Sequence, residues 1–159
     1  MAIYPGAVQR LIPENKTQPL TTIDQVILHV AASNGDSLFA WWNTPGNGLE
    51  SHFYVRKTGV VEQYIDTSRS ADANLTANHR PDGTGAMSIE TEGLADEEWT
   101  DEQLATILAL IRWAHDVHEV PIRVCRDADD PGIGWHVMFG APGPWTNVHC
   151  ANRLLSCRT

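Results

Sequence analysis

Apolar positions along the chain change period several times, and each change marks an element. "IDQVILHVAAS" (Ile23 to Ser33) is β-branched and apolar almost throughout, the composition of a strand buried on both faces, with His29 near its C-terminal end. "DSLFAWWN" predicts a short helix capped by Asp36 or Ser37 and stopped by "TPGNG". "SHFYVRKTGVVEQYID" predicts a hairpin, with one strand up to Arg56, a turn at "KTG" and a second strand from Val60. After the loop "RPDGTG", the strand "AMSIETEG" alternates. That puts Ser88, Glu90 and Glu92 on one face and Met87, Ile89 and Thr91 on the other.

A period of 3.6 takes over from about Thr100 to Glu119. Thr100 with Gln103 fits a capping box, and Asp101 and Glu102 suit the positive end of a helix. Leu104, Ile107, Leu108, Ile111 and His115 predict the buried stripe, and Pro121 marks the end. "PIRVCRDADDPGIG" reads as a short strand entering a turn-rich loop, and "NVHCANRLLSC" as the start of a short last helix. Strands and helices alternate, so the fold class is α/β, a central mixed β-sheet flanked by α-helices. At 159 residues the chain is expected to form a single domain spanning 1–159, with its core at about 22–157.

Composition narrows the function. A net charge of −9 argues against nucleic acid as a partner, because phosphate binding needs clustered Lys and Arg. No apolar run reaches the length of a membrane span, so no membrane insertion is expected. The start "MAIYPGAVQRLIPENK" lacks the basic and apolar regions of a secretory signal. Three cysteines, Cys125, Cys150 and Cys157, do not suggest a disulfide framework. Cys125 reads as a core residue and Cys157 as an incidental thiol. The Trp41-Trp42 pair and Trp135 fit either a core or the lining of a groove.

The histidines sort by context. His115 and His118 ride the long helix, where packing is the ordinary role, and His79 in "NHRPDG" reads as solvated. His52 is either a core residue or a support for a site. His29 and His136 both stand where a strand meets a loop, the position at which sites on α/β sheets gather. Alone, His29 reads as a satisfied core histidine. Taken with His136, the His149-Cys150 pair and a carboxylate on the Glu90–Glu92 face, it reads as part of a zinc site. Such a site uses imidazole and thiolate ligands and keeps one position open for chemistry. The "GWHVMFGAPGPWTNVHC" segment would then be a stiff spacer that returns the chain to the metal. One of the two glutamates would be a general base, and spacing alone does not choose between them.

Four of these segments, "VILHVAAS", "SHFYVRKTGVVEQYID", "SIETEG" and "GWHVMFGAPGPWTNVHC", stand in the order seen in a known family. The chain resembles the zinc-dependent N-acetylmuramoyl-L-alanine amidases of the type-2, peptidoglycan-recognition-like family, in particular the amidase domains of phage endolysins. The resemblance runs from Val26 to Cys150. It implies zinc as cofactor, His29, His136 and Cys150 as metal ligands, and Glu90 as the catalytic carboxylate. It also implies bacterial peptidoglycan as partner, cut between the lactyl group of N-acetylmuramic acid and the first L-alanine of the stem peptide.

The sequence departs from that pattern at several points. Val148 stands where the family has a Lys, Ala151-Asn152 follow the Cys in place of Pro-Gly, and Ser51 replaces a Tyr. His149 could supply the missing donor or bind zinc instead of Cys150. The expected setting is a monomeric catalytic piece of an endolysin, made in the host cytoplasm and acting on the wall after release. Wall targeting would come from a separate segment. The rival readings are a binding module of the same fold that does not cut, and a thiol hydrolase pairing Cys150 with His29 or His136.

Overall fold

The β-branched run after Thr22 forms the strand its composition predicts, and the sheet grows outward from it. The computed structural model describes residues 2–13, 17–94, 96–140 and 143–145. In order they form β1 (Val8–Gln9), β2 (Thr22–Val30), α1 (Phe39–Trp42), β3 (Phe53–Val55) and β4 (Val61–Gln63). A 3-10 turn (Leu75–Ala77), β5 (Thr84–Thr91), α2 (Asp101–His118) and β6 (Gly132–Trp135) follow. The six strands make one sheet in the order β1-β4-β3-β5-β2-β6. Only β3 and β4 pair antiparallel; the other neighbours are parallel. The expected α/β architecture with a mixed sheet is therefore the one observed.

Strand alternation gives the sheet two different faces. One face carries Val26, Leu28, Phe53, Val55, Met87 and Ile89, which pack with Ile107, Leu110, Ile111 and Ala114 of α2 in the main core. The other face carries Gln25, His29, His52, Glu62 and Ser88, all buried. It is covered in part by α1, whose Trp42 packs with Tyr54 and Tyr64. Polar groups so buried need partners. Gln25 finds them in the carbonyls of Ala128 and Asp130, at 2.9 and 2.8 Å, which pins the loop before β6.

Several expectations shift in detail. The capping box at Thr100 and Gln103 is present, but the buried stripe of α2 is Gln103, Ile107, Leu110, Ile111 and Ala114. Leu104 and Leu108 are exposed, as is His115. The helix is rotated so that Gln103 reaches the carbonyl of Glu92 at 2.8 Å, a partner only the folded sheet supplies. α1 is a single turn, and neither expected cap holds its N-cap position, which Leu38 occupies. Ser37 does accept from the Phe39 N–H at 3.2 Å while Asp36 pairs with Arg56. The strand expected at Pro121 reduces to one bridge between Val124 and Ile133, and β6 forms within the expected loop instead. The last predicted helix and Cys157 lie outside the described residues.

Candidate active site

Strand register builds a polar row across one face of the sheet. His29 on β2 stands beside Glu90 on β5, Glu90 beside Tyr54 on β3, and Tyr54 beside Glu62 on β4. His136 follows β6 directly, and its N–H donates to the Leu28 carbonyl at 2.9 Å, which sets its side chain next to His29. Residues 107 positions apart in sequence thus meet, with His29 Nδ1 and His136 Nδ1 2.6 Å apart.

His29 is buried, and its second nitrogen is held. Nε2 lies 2.7 Å from Oδ1 of Asn74, a buried residue just before the 3-10 turn. Burial holds the His29 pKa down at about 3, and burial lowers that of His136 as well. Both rings are therefore neutral near pH 7, the form in which imidazole binds a metal. Nε2 of His136 is buried with no hydrogen-bond partner among the described residues.

Glu90 faces this pair. Its Oε1 is 3.8 Å from His29 Nδ1, too far for a hydrogen bond, and its Oε2 is buried without a partner among the described residues. Burial raises its pKa to about 8, since little near it compensates a buried negative charge. A dication between the two histidines would pull that value down and make the carboxylate a base near neutrality. Glu92 is engaged elsewhere, its Oε2 accepting the Lys57 N–H at 2.9 Å. Geometry thus separates two glutamates that spacing leaves equivalent.

The remaining candidates divide clearly. His52 is a core residue: Nδ1 accepts from the Ser88 N–H at 3.1 Å and Nε2 donates to the Arg69 carbonyl at 2.9 Å. Cys125 is buried beside Ile27 and Trp145, and burial raises its pKa to about 11, so it is an inert thiol. His79 is exposed, as expected. Trp42 and Trp135 pack into the two cores, and only Trp41 projects outward. His149 and Cys150 lie outside the described residues. Asn74 escapes sequence reasoning altogether, because nothing in "ADANLTAN" distinguishes it from a loop asparagine.

The profile of the family described as N-acetylmuramoyl-L-alanine amidase matches residues 19–144, most of the chain and all of the row just described. The chain belongs to the N-acetylmuramoyl-L-alanine amidase family. Solved structures agree at the level of the fold. The endolysin N-acetylmuramoyl-L-alanine amidase LysCS from Clostridium intestinale URNW superposes with a TM-score of 0.56 at 17% identity, over 86% of this chain and 84% of that one. Manduca sexta peptidoglycan recognition protein-1 gives 0.59 at 20% identity, over 82% and 79%. The ectodomain complex of peptidoglycan recognition proteins LCa and LCx, solved with tracheal cytotoxin, gives 0.53 at 12% identity, over 81% and 83%. A search of curated protein sequences finds no match.

For a member of this amidase family the donor set is suited to zinc as far as it is described. Two neutral imidazoles converge, and a carboxyl oxygen beside them is buried and unpartnered among the described residues. Among the described residues, no group of three or more His, Cys, Asp or Glu side chains is disposed to hold a metal ion.

Proposed function

We propose that this amidase is a zinc-dependent peptidoglycan hydrolase that cuts the amide between the lactyl group of N-acetylmuramic acid and the first L-alanine of the stem peptide. The observation that carries the reading is the meeting of His29 Nδ1 and His136 Nδ1 beside a buried Glu90. His29, His136 and Cys150 would hold the ion, which when bound supplies a Lewis acid that polarises a carbonyl and acidifies water. Glu90 would then take the proton of the attacking water on Oε2, the oxygen with no other partner among the described residues, and return it to the leaving amine nitrogen. The buried flank of the row keeps the carboxylate poorly solvated, so it remains basic enough for that transfer. Chain 1–159 would act as one catalytic domain of a phage endolysin, carried to the wall by a separate binding segment. At a net charge of −9 the domain gains little attraction to an acidic wall, which supports that division of labour.

The test is to digest purified cell wall and count new amine ends. Glu90→Gln should keep its zinc and lose roughly 100- to 10,000-fold in hydrolysis. Full digestion by that variant would sink the assigned role. Removing the metal with a chelator should abolish cleavage, whereas a Cys-His thiol hydrolase would survive it. The fold shared with peptidoglycan recognition proteins favours one second reading, a module that binds wall without cutting it. Tight wall binding with zinc present and no new amine ends would establish that reading instead. Zinc content of Cys150→Ala beside His149→Ala assigns the third ligand, and loss in the cysteine variant alone is the expected result.

A further inference from the structure

The amide of Asn74 is held from both sides, and this fixes which atom faces His29. Its Nδ2 donates to the Ala86 carbonyl at 3.1 Å, so Oδ1 is the atom 2.7 Å from His29 Nε2. Reversing the amide would set two oxygens against each other at Ala86. The backbone N–H of Asn74 donates to Asn78 Oδ1 at 2.7 Å, and Leu75 beside it sits at a φ of 46°, in the left-handed region. A buried polar side chain behind a strained residue is costly to build, and such features gather where a group must be aimed. Two residues further on, Thr76 Oγ1 donates to the Pro144 carbonyl at 2.7 Å. The same turn therefore grips the segment that leaves His136.

We infer that Asn74 is a positioning residue: its Oδ1 holds His29 in the tautomer protonated at Nε2 and thereby presents the Nδ1 lone pair to the space shared with His136. The inference rests on the reading of His29 as a metal ligand. An amide oxygen can only accept, so Nε2 must donate and Nδ1 must be bare. Because two bare nitrogens would repel at 2.6 Å, His136 must carry its proton on Nδ1 in the metal-free protein. For His136 Nδ1 to serve as a zinc ligand, that proton would have to move to Nε2, the nitrogen with no hydrogen-bond partner among the described residues. A neutral amide orients the imidazole without adding a charge to the site, which distinguishes it from a carboxylate partner.

Nitrogen-15 labelling of the full chain, with long-range proton–nitrogen correlation of the imidazole rings at pH 7, tests this directly. The metal-free wild type should show His29 protonated at Nε2 and His136 at Nδ1. Asn74→Leu, similar in size but without an acceptor, should mix the His29 tautomers and weaken zinc roughly 10- to 100-fold in chelator competition. Asn74→Asp keeps an oxygen acceptor toward Nε2 and should restore the tautomer, although its second oxygen opposes the Ala86 carbonyl and lowers stability. A wild-type His29 protonated at Nδ1 overturns the inference, and so does a folded Asn74→Leu with unchanged tautomer and affinity. Should Asn74→Leu fail to fold, the wild-type tautomer and the Asn74→Asp variant decide the question. A wild type that shows the expected tautomers but releases no amine ends counts against the amidase reading and leaves the role of Asn74 standing.

Discussion

His29 on β2 and His52 just before β3 are chemically alike and both buried, yet their surroundings give them different work. Both nitrogens of His52 are satisfied by the protein, while among the described residues the Nδ1 of His29 meets another imidazole and a distant carboxyl. Glu90 shows the same logic. Its pKa of about 8, against 4.5 for a free side chain, means that the metal-free folded state keeps a proton the unfolded chain has lost. Between those values the folded state binds more protons, so stability falls as pH rises through the window. Glu90→Gln removes that penalty. In urea unfolding of metal-free protein, its stability relative to wild type should grow from pH 5 to about pH 8 and level off above it. A difference that stays flat with pH would show that burial does not hold the proton on Glu90. Neither contrast is legible in "VILHV" or "SIETEG", because it depends on which groups from other strands stand opposite.

The loop after β6 depends on one close approach. A Cβ at Gly134 would lie 2.4 Å from the ring of Trp145, which packs over that backbone beside Ile27, Ala86 and Phe139. Gly134→Ala should cost about 1–3 kcal/mol and push Trp145 off its seat. His136 is two residues away, so zinc affinity should weaken in the same variant. Unfolding and chelator competition read the two effects, and full stability with full affinity would mean that Trp145 does not set the loop. At α2, both the capping box and the left-handed C-cap at Glu119 are present, and the signals for these ends are local. Its buried stripe was less legible: apolar residues stand on more than one side of the helix, and the sheet took Leu110 and Ala114 rather than Leu104 and Leu108. Which side of a helix is covered depends on the elements beneath it.

The molecule as a whole carries opposing titrations. Burial lowers His52 to about 4 and His29 to about 3 from 6.5, so between pH 4 and 6.5 the unfolded chain binds more protons at these groups. Their contribution is therefore present above pH 6.5 and lost as pH falls toward 4. For His52 alone that is roughly 3 kcal/mol, at about 1.4 kcal/mol per tenfold change. Over the same range Glu90 acts in the other sense, but two histidines outweigh it. Above pH 6.5 Glu90 acts alone among these three, and stability declines toward pH 8. Metal-free protein should thus be most stable near pH 6.5, as denaturant midpoints across pH 4–9 would report. A midpoint that climbs without a maximum through pH 8 would contradict this balance. Loading zinc should raise stability and flatten the alkaline limb, because Glu90 gains a compensating charge, while the acid limb persists because the unfolded chain still takes up protons at its histidines.

Periodicity and end signals were enough to predict the α/β class, β2, the hairpin, β5, α2 and its N-terminal capping box, because each rests on contacts a few residues apart. His29, Glu90 and His136 also stood out, as reactive residues at strand ends within motifs whose order resembles a known family. Non-local pairing settled the rest. The two-residue β1 carries no periodic signal and exists only because β4 offers it an edge. Glu92, unlike Glu90, is engaged by the backbone N–H of Lys57, a residue 35 positions away. Asn74 faces His29 because the turn before β5 passes over the polar side of the sheet, where a strand 45 positions upstream has already placed an imidazole. Contacts of that reach depend on register and on which face each strand turns inward, and a single chain read in order contains neither.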